Sequence, residues 1–404
     1  MRNNLSLYRI LFVFALIVLF SACAPRLSVE VDNIANINAY KKPGIAYYLP
    51  QTSLIVNFRI TKVEEKKGPF ADYASEFLGN VDVIRQNKTY WEISGVNIDT
   101  RAVRDTQNLW LITGNMPWIF AVNLTPEGFL ASINANDDTV YKQDYGFEQF
   151  VNQEKLQSIG QNIVTVDRGY KEVYDTVFKV ETFDTIRRVV PIIKKRLIQK
   201  TVREQAREIA DEIFSLRDDR NALLVGEGDS DYLPDGLALK EMLAGIDKLE
   251  RQYLSLFIGR VDKTNYHYRY QWTPKIKNHI TERIIYRFSP HYGLLPPTDM
   301  RGDPVYLIIK TMGTTEGLRN FYQTQDLLRR VEGVKANYNG LAYRIPELVS
   351  VQIKVGERLV AQKHLFLPQA GVVARLPLSL LSNPDVEIYF NPWTGSLQKI
   401  NYRK

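Results

Sequence analysis

The run Leu54-Ile55-Val56-Asn57-Phe58-Arg59-Ile60-Thr61-Lys62-Val63 sets Leu54, Val56, Phe58 and Ile60 against an interleaved Asn57, Arg59 and Thr61. A period of two, with apolar residues all on one side, is the pattern of a strand that buries one face. Upstream, Gly44 to Leu49 is a second extended run, and Pro50-Gln51-Thr52-Ser53 between the two has turn chemistry, so a β-hairpin is expected there. Downstream, Gly68-Pro69 opens a short helix with Phe70, Tyr73, Ala74, Phe77 and Leu78 on one face and Gly79-Asn80 as its stop. Further strands are expected at Thr89 to Val96, Leu109 to Thr113 and Ile119 to Leu124. The last turns at Thr125-Pro126-Glu127-Gly128 into Phe129 to Ile133.

The signal between 166 and 200 is mixed, and two helices follow it. Arg203 to Arg217 places Ala206, Ile209, Ala210, Ile213 and Phe214 on one face. Leu239, Met242, Leu243, Ile246, Leu249, Tyr253, Leu256 and Phe257 recur at three- and four-residue spacing, with Asp235-Gly236 before them and Gly259 after. The polar loop between these helices suits an antiparallel pair. Strands return at Tyr266 to Trp272, Glu282 to Phe288 and Val305 to Thr311. After a polar helical or loop segment at 316–330, a β run starts at Leu341, with Val349, Val351, Ile353 and Val355 alternating before Gly356-Glu357 and Arg358 to Phe366 returning. Val386 to Phe390 and Leu397 to Tyr402 close the chain around Asn391-Pro392-Trp393-Thr394-Gly395, a turn that should leave Trp393 exposed. The fold class is therefore α+β, predominantly antiparallel β and sandwich-like in its N- and C-terminal parts, with a central antiparallel helix pair. Its expected division is a signal peptide over 1–22, a tether over 23–44, a β-rich domain over 45–165, a linker and helix pair over 166–260, and a second β-rich domain over 261–404.

The first residues give an address. Arg2 and Arg9 precede Ile10 to Phe20, an unbroken apolar run about half the roughly twenty residues that a bilayer span needs. Phe20-Ser21-Ala22-Cys23 ends it at the only cysteine of the 404-residue chain. This reads as a lipoprotein signal peptide, with Cys23 as the lipidation site and new N-terminus. Lipidation of Cys23 leaves no thiol for a disulfide, a nucleophile or a metal. Removing the signal peptide takes Arg2 and Arg9 and no acid, so the formal net charge of +7 falls to a mild +5, which argues against a dedicated nucleic-acid binder and allows contact with anionic head groups.

Several segments resemble a known family. Tyr47-Tyr48-Leu49-Pro50-Gln51-Thr52-Ser53-Leu54, Lys67-Gly68-Pro69-Phe70-Ala71-Asp72-Tyr73-Ala74, Asp235-Gly236-Leu237-Ala238-Leu239, Tyr253-Leu254-Ser255-Leu256-Phe257-Ile258-Gly259 and Gly340-Leu341-Ala342-Tyr343-Arg344-Ile345-Pro346 are similar to a family of Bacteroidota outer-membrane lipoproteins known only as a domain of unknown function. The likeness spans essentially all of the mature chain, and none of its segments is a catalytic signature. It implies a phylum and an envelope location, and no functional residues. Within that phylum, the absence of an acid between Cys23 and Glu30 leans toward the periplasmic face of the outer membrane. The Asp-Thr-apolar triplets at Thr139, Thr176 and Thr185 resemble O-glycosylation sites of such organisms.

The residues offer little chemistry. His267, His279, His291 and His364 are far apart, with no pair at helical ligand spacing. Glu227, Asp229 and Asp231 alternate, with Asp235 beyond them, yet Tyr232 and Ala238 stand where a calcium loop needs glycine and glutamate, so a solvated loop with a helix cap is expected. No nucleophile elbow or phosphate loop is present; no cofactor is expected. Arg187, Arg188, Lys194, Lys195, Arg196, Lys200, Arg203 and Arg207 form a basic run with only Glu204 against it. It reads either as an interaction patch for anionic head groups or an acidic partner, or as a solvated helix face offset by Glu208, Asp211 and Glu212. The expectation is a non-catalytic lipoprotein on the outer membrane that contacts other envelope proteins as an accessory subunit of an assembly, export or uptake complex. The alternative is a glycan-binding or glycan-hydrolysing lipoprotein, which would need two carboxylates across an aromatic-lined groove.

Overall fold

The computed structural model of the chain describes residues 29–34, 43–114, 121–135, 154–155, 169–183, 186–225, 236–276, 278–332, 340–381 and 383–403. In chain order these form β1 (Val29–Asn33), β2 (Ile45–Lys66), α1 (Ala74–Phe77), β3 (Lys88–Gly114), β4 (Val122–Leu124), β5 (Leu130–Ile133) and β6 (Glu154–Lys155). They continue as β7 (Tyr170–Phe183), β8 (Ile186–Gln199), α2 (Val202–Val225), α3 (Gly236–Ile258), β9 (Arg260–Trp272), β10 (Ile280–Ser289), β11 (Gly293–Leu295) and β12 (Asp303–Thr311). The last are α4 (Glu316–Glu332), β13 (Gly340–Val355), β14 (Arg358–Pro377), α5 (Leu378–Leu381), β15 (Val386–Asn391) and β16 (Ser396–Tyr402). The architecture is α+β and mostly antiparallel β, as the periodicities predict.

Two five-stranded sheets, ordered β1-β3-β2-β9-β6 and β11-β10-β12-β13-β14, contribute to a common core. The alternating residues Leu54, Val56, Phe58 and Ile60 of β2 are buried in it with Val305, Leu307 and Ile309 of β12 and Val349, Val351 and Ile353 of β13. A second core joins Tyr47, Leu49 and Trp110 to Leu341, Ala342, Leu376, Ile388 and Phe390, beside a four-stranded sheet ordered β16-β15-β5-β4. Tyr47 lies fully buried there, its hydroxyl donating to Ala342 O at 3.1 Å and accepting from Ala342 N at 3.0 Å. The N- and C-terminal β-rich parts share sheets, because β9 pairs with β2 and β5 pairs with β15.

The structure corrects several local expectations. No turn stands at Pro50-Gln51-Thr52-Ser53: β2 runs through it as one strand of 22 residues and pairs with β3. Proline has no N–H for a ladder, and here a register shift between Tyr48 and Pro50 absorbs the gap. The strands expected at Thr89 to Val96 and Leu109 to Thr113 are likewise one strand, β3, of 27 residues. Its polar middle remains extended because Ile98 and Ala102 still reach buried positions. Trp393 is half-buried, since Asn391 Oδ1 accepts from Trp393 N at 2.9 Å and Thr394 N at 3.2 Å and folds the turn back.

Among the described residues the helix pair is anchored at one end. Phe70, Ala74, Ala206, Ala210, Ile213 and Phe257 form a third, small core. The carbonyls at the end of α3, orphaned by helix geometry, accept from Phe70 N (Leu256 O, 2.9 Å), Ile84 N (Ile258 O, 2.9 Å) and Gly259 N (Ser255 O, 3.1 Å). Gly259 has φ +86° there, and a Cβ on Gly68 would fall 2.3 Å from Leu256 O. Both glycines are thus required by this joint.

Candidate interaction surface

Within the segment 166–200, unresolved by periodicity, the described residues 169–183 and 186–200 form a two-stranded antiparallel ribbon. Strands β7 and β8, of 14 residues each, pair in unbroken register from Tyr170↔Gln199 to Phe183↔Ile186. Each is hydrogen-bonded, as a strand, only to the other among the described residues. At about 3.3 Å per residue the ribbon reaches roughly 45 Å.

Its base is fixed to α2 by a capping box that sequence reading passed over, although Thr201-x-x-Glu204 is its signature. Glu204 N donates to Thr201 Oγ1 at 3.3 Å, and Glu204 Oε2 accepts from Thr201 N at 2.9 Å. Glu204 Oε1 also accepts from Lys171 Nζ at the start of β7, while Lys200 N donates to Gly169 O at 2.7 Å. The Lys171 ammonium, followed by the Thr201 amide, holds the Glu204 carboxyl down from 4.5 to about 2. A depressed carboxyl stabilises the folded form above its ordinary pKa and loses that contribution as pH falls through the folded value. A selective 13C titration of Glu204 should therefore show a midpoint near pH 2, with the ribbon base released only below it; a midpoint at the ordinary carboxyl value would refute the linkage.

The basic run comes together on this appendage, but its first part is strand and not helix. Arg187, Arg188, Lys194, Lys195 and Arg196 lie on β8, Lys200 follows it, and only Arg203 and Arg207 are on α2. A helical face for 187–200 is ruled out by the β7 pairing. Half of the cations are paired: Lys195 with Glu172 at 2.5 Å, Arg196 with Asp175 at 2.5 Å, Lys200 with Glu208 at 2.6 Å, and Arg203 with Glu76. Glu172 and Glu76 are held below the usual carboxylate range, first by their Lys195 and Arg203 hydrogen bonds. Arg187, Arg188, Lys194 and Arg207 make no ion pair within 4 Å among the described residues.

Opposed residues of a ribbon share a face, and successive ones alternate. One face carries Tyr170, Tyr174, Phe178, Val180, Val189, Ile193 and Leu197, each between 57 and 68% exposed. The helix pair is similar. Arg217–Glu250 (2.7 Å) and Arg220–Asp247 (3.0 Å) tie α2 to α3 antiparallel, while Phe214, Leu224, Val225, Leu237, Met242 and Leu249 are exposed. Thr176 is exposed on β7. Cys23, Thr139, Thr185 and the acidic cluster at Glu227, Asp229, Asp231 and Asp235 lie outside the described residues.

A cleft of about 400 Å³ is lined by Lys66, Lys67, Asn87, Thr89, Glu65 and Arg260 among others, none of them aromatic. Its cations are engaged: Lys66 with Asp262 at 2.9 Å, Lys67 with Asp72 at 2.8 Å and Arg260 with Asp262 at 3.6 Å. Among the described residues no three His, Cys, Asp or Glu side chains are grouped to hold a metal, and no helix is long and apolar enough to cross a membrane. No curated protein and no solved structure matches the chain. A family model does match, over residues 43–172 and 185–398, so the chain belongs to the family described as a domain of unknown function, DUF4831.

Proposed function

We propose that the chain is a Bacteroidota outer-membrane lipoprotein, anchored through Cys23 on the periplasmic face, that works without catalysis as an accessory subunit binding another envelope protein in an assembly, export or uptake complex. The observation that supports this reading is the pair of appendages. A ribbon and a helix pair extend beyond the cores and hold large apolar side chains in solvent, which is characteristic of interaction surfaces. The glycan reading draws no support from this one described cleft, whose lining carries no aromatic platform of the kind sugar stacking uses. Thr139 and Thr185 are proposed as O-glycosylation positions of the mature protein; Thr176 stands opposite Ile193 on the ribbon's exposed apolar face, where a glycan would cover it.

An affinity pull-down of the full chain from gently solubilised outer membranes tests this. We expect a stoichiometric envelope component that is lost when Leu224→Asp and Met242→Asp are introduced together on the helix pair. Recovery of the protein alone would sink the accessory reading.

A further inference from the structure

A two-stranded ribbon is marginally stable in water without a third strand or a helix to cover it, and this one leaves seven large apolar side chains uncovered on a single face. Its geometry favours a cover on the face over one on the β8 edge. Pro191 sits opposite Phe178 in a register that passes it without a shift, so the N–H that proline lacks is missing from the outer edge of β8. The Lys194-Lys195-Arg196 run follows on the same strand. Proline and lysine on an edge are the usual means of blocking strand addition.

The charges indicate what the cover is. Strand β8 carries five basic residues and no acid. The β7 acids Glu172, Asp175 and Glu181 are taken up within the ribbon by Lys195, Arg196 and Lys179. The apolar face itself holds only the Glu172–Lys195 pair toward the base and Arg187 toward the tip. Arg188 and Lys194 point to the opposite side, which they share with the Arg196–Asp175 and Lys179–Glu181 pairs. An apolar stripe with tyrosines near its base and surplus cations around it matches a bilayer interface bearing anionic head groups. Tyrosine's polar tip and apolar body suit that depth.

We propose that the β7–β8 ribbon docks along its length on an anionic lipid surface, with Phe178, Val189 and Ile193 in the acyl boundary and Arg187, Arg188 and Lys194 among the head groups. This rests on the envelope location proposed above only for the supply of a membrane. The contact is peripheral and adds a second attachment to the Cys23 anchor.

The test uses the whole chain carrying Cys23→Ser, which removes the acyl anchor and frees the only thiol position, together with Phe178→Cys labelled with an environment-sensitive fluorophore. Phosphatidylglycerol vesicles should shift its emission to the blue, with phosphatidylcholine vesicles binding more than about tenfold more weakly. The triple change Arg187→Gln, Arg188→Gln and Lys194→Gln should reproduce that loss on phosphatidylglycerol. Val189→Asp with Ile193→Asp should abolish the shift, and a label at Leu359→Cys, on β14, should stay unshifted. Positions 178, 187, 188, 189, 193, 194 and 359 are exposed, so circular dichroism should report an unchanged fold. No shift at 178 with either vesicle, equal binding to both, or an equal shift at 359 overturns the proposal. Failure here with a pull-down partner cross-linked to position 178 replaces the lipid with a protein and leaves the accessory reading standing. A shift at 178 with no protein recovered supports lipid docking and removes that reading.

Discussion

Arg344→Met is expected to lower the unfolding free energy by about 3–5 kcal/mol, the usual cost of breaking a buried ion pair by removing one partner. Arg344 is buried on β13, and its Nη2 donates to Asp105 Oδ2 on β3, so the pair ties the first sheet to the second. Its Nη1 reaches Pro368 O at 3.2 Å. Burial pushes the guanidinium's pKa down and the Asp105 carboxylate opposes that shift. Without the guanidinium, Asp105 retains, among the described residues, Gln107 N at 3.0 Å and Asn108 Nδ2 at 2.9 Å as compensation in a largely buried setting. Urea unfolding should show a lower midpoint with an unchanged slope. Adding Asp105→Asn should restore part of the loss, because the stranded charge is then gone. A single-variant loss below about 1 kcal/mol, the range of a solvent-exposed pair, would show that the pair is not shielded as its burial implies.

What was legible in the sequence followed from one-sided burial. Leu54, Val56, Phe58 and Ile60 announced β2 because one face meets a core and the other does not. Helix α3 was legible from its three- and four-residue spacing and from Gly259, whose positive φ ends it. The ribbon was not legible for the converse reason. Val177 and Ile192 on one face are exposed as well as Phe178 and Ile193 on the other, so no alternation of period two marks a buried side. Its connection, Asp184-Thr185, also lacks the glycine that signals a tight hairpin. Pro50 misleads for a different reason: proline has turn chemistry, whereas β2 stays extended here and β3 bulges beside it, with 105–108 opposite Leu49 alone. The basic run was recognised as a cluster, but which element carried it depended on the β7 partner, a contact that local spacing does not encode.

Gln369→Leu should cost about 2–4 kcal/mol, because it preserves the side chain's bulk and strands two backbone groups of the other sheet, each worth about 1–3 kcal/mol when left unpaired and buried. Beyond Leu54↔Trp272 strand β9 no longer covers β2, so the open side of Thr52 has no strand to pair with. The Gln369 amide takes that place, accepting from Thr52 N at 2.9 Å and donating to Thr52 O at 2.7 Å. It can do so because β14 bulges: Ile345 pairs with Val372 and Glu347 with Leu367, leaving 368–371 opposite Pro346 alone. A Cβ on Gly371 would lie 1.9 Å from Ile345 O, so only glycine permits that excursion. Arg344 holds Pro368 O and Arg319 holds Ala370 O, one on each side of Gln369. Since Arg344 positions the glutamine, Arg344→Met with Gln369→Leu should cost less than the two separate losses combined. Hydrogen exchange provides the direct reading: the Thr52 amide should lose protection in Gln369→Leu while Tyr47 and Phe58 in the same strand keep theirs. Unchanged protection at Thr52 would mean that water or a shifted strand replaces the amide, and that the sheets are held in register by the Arg344–Asp105 pair without it.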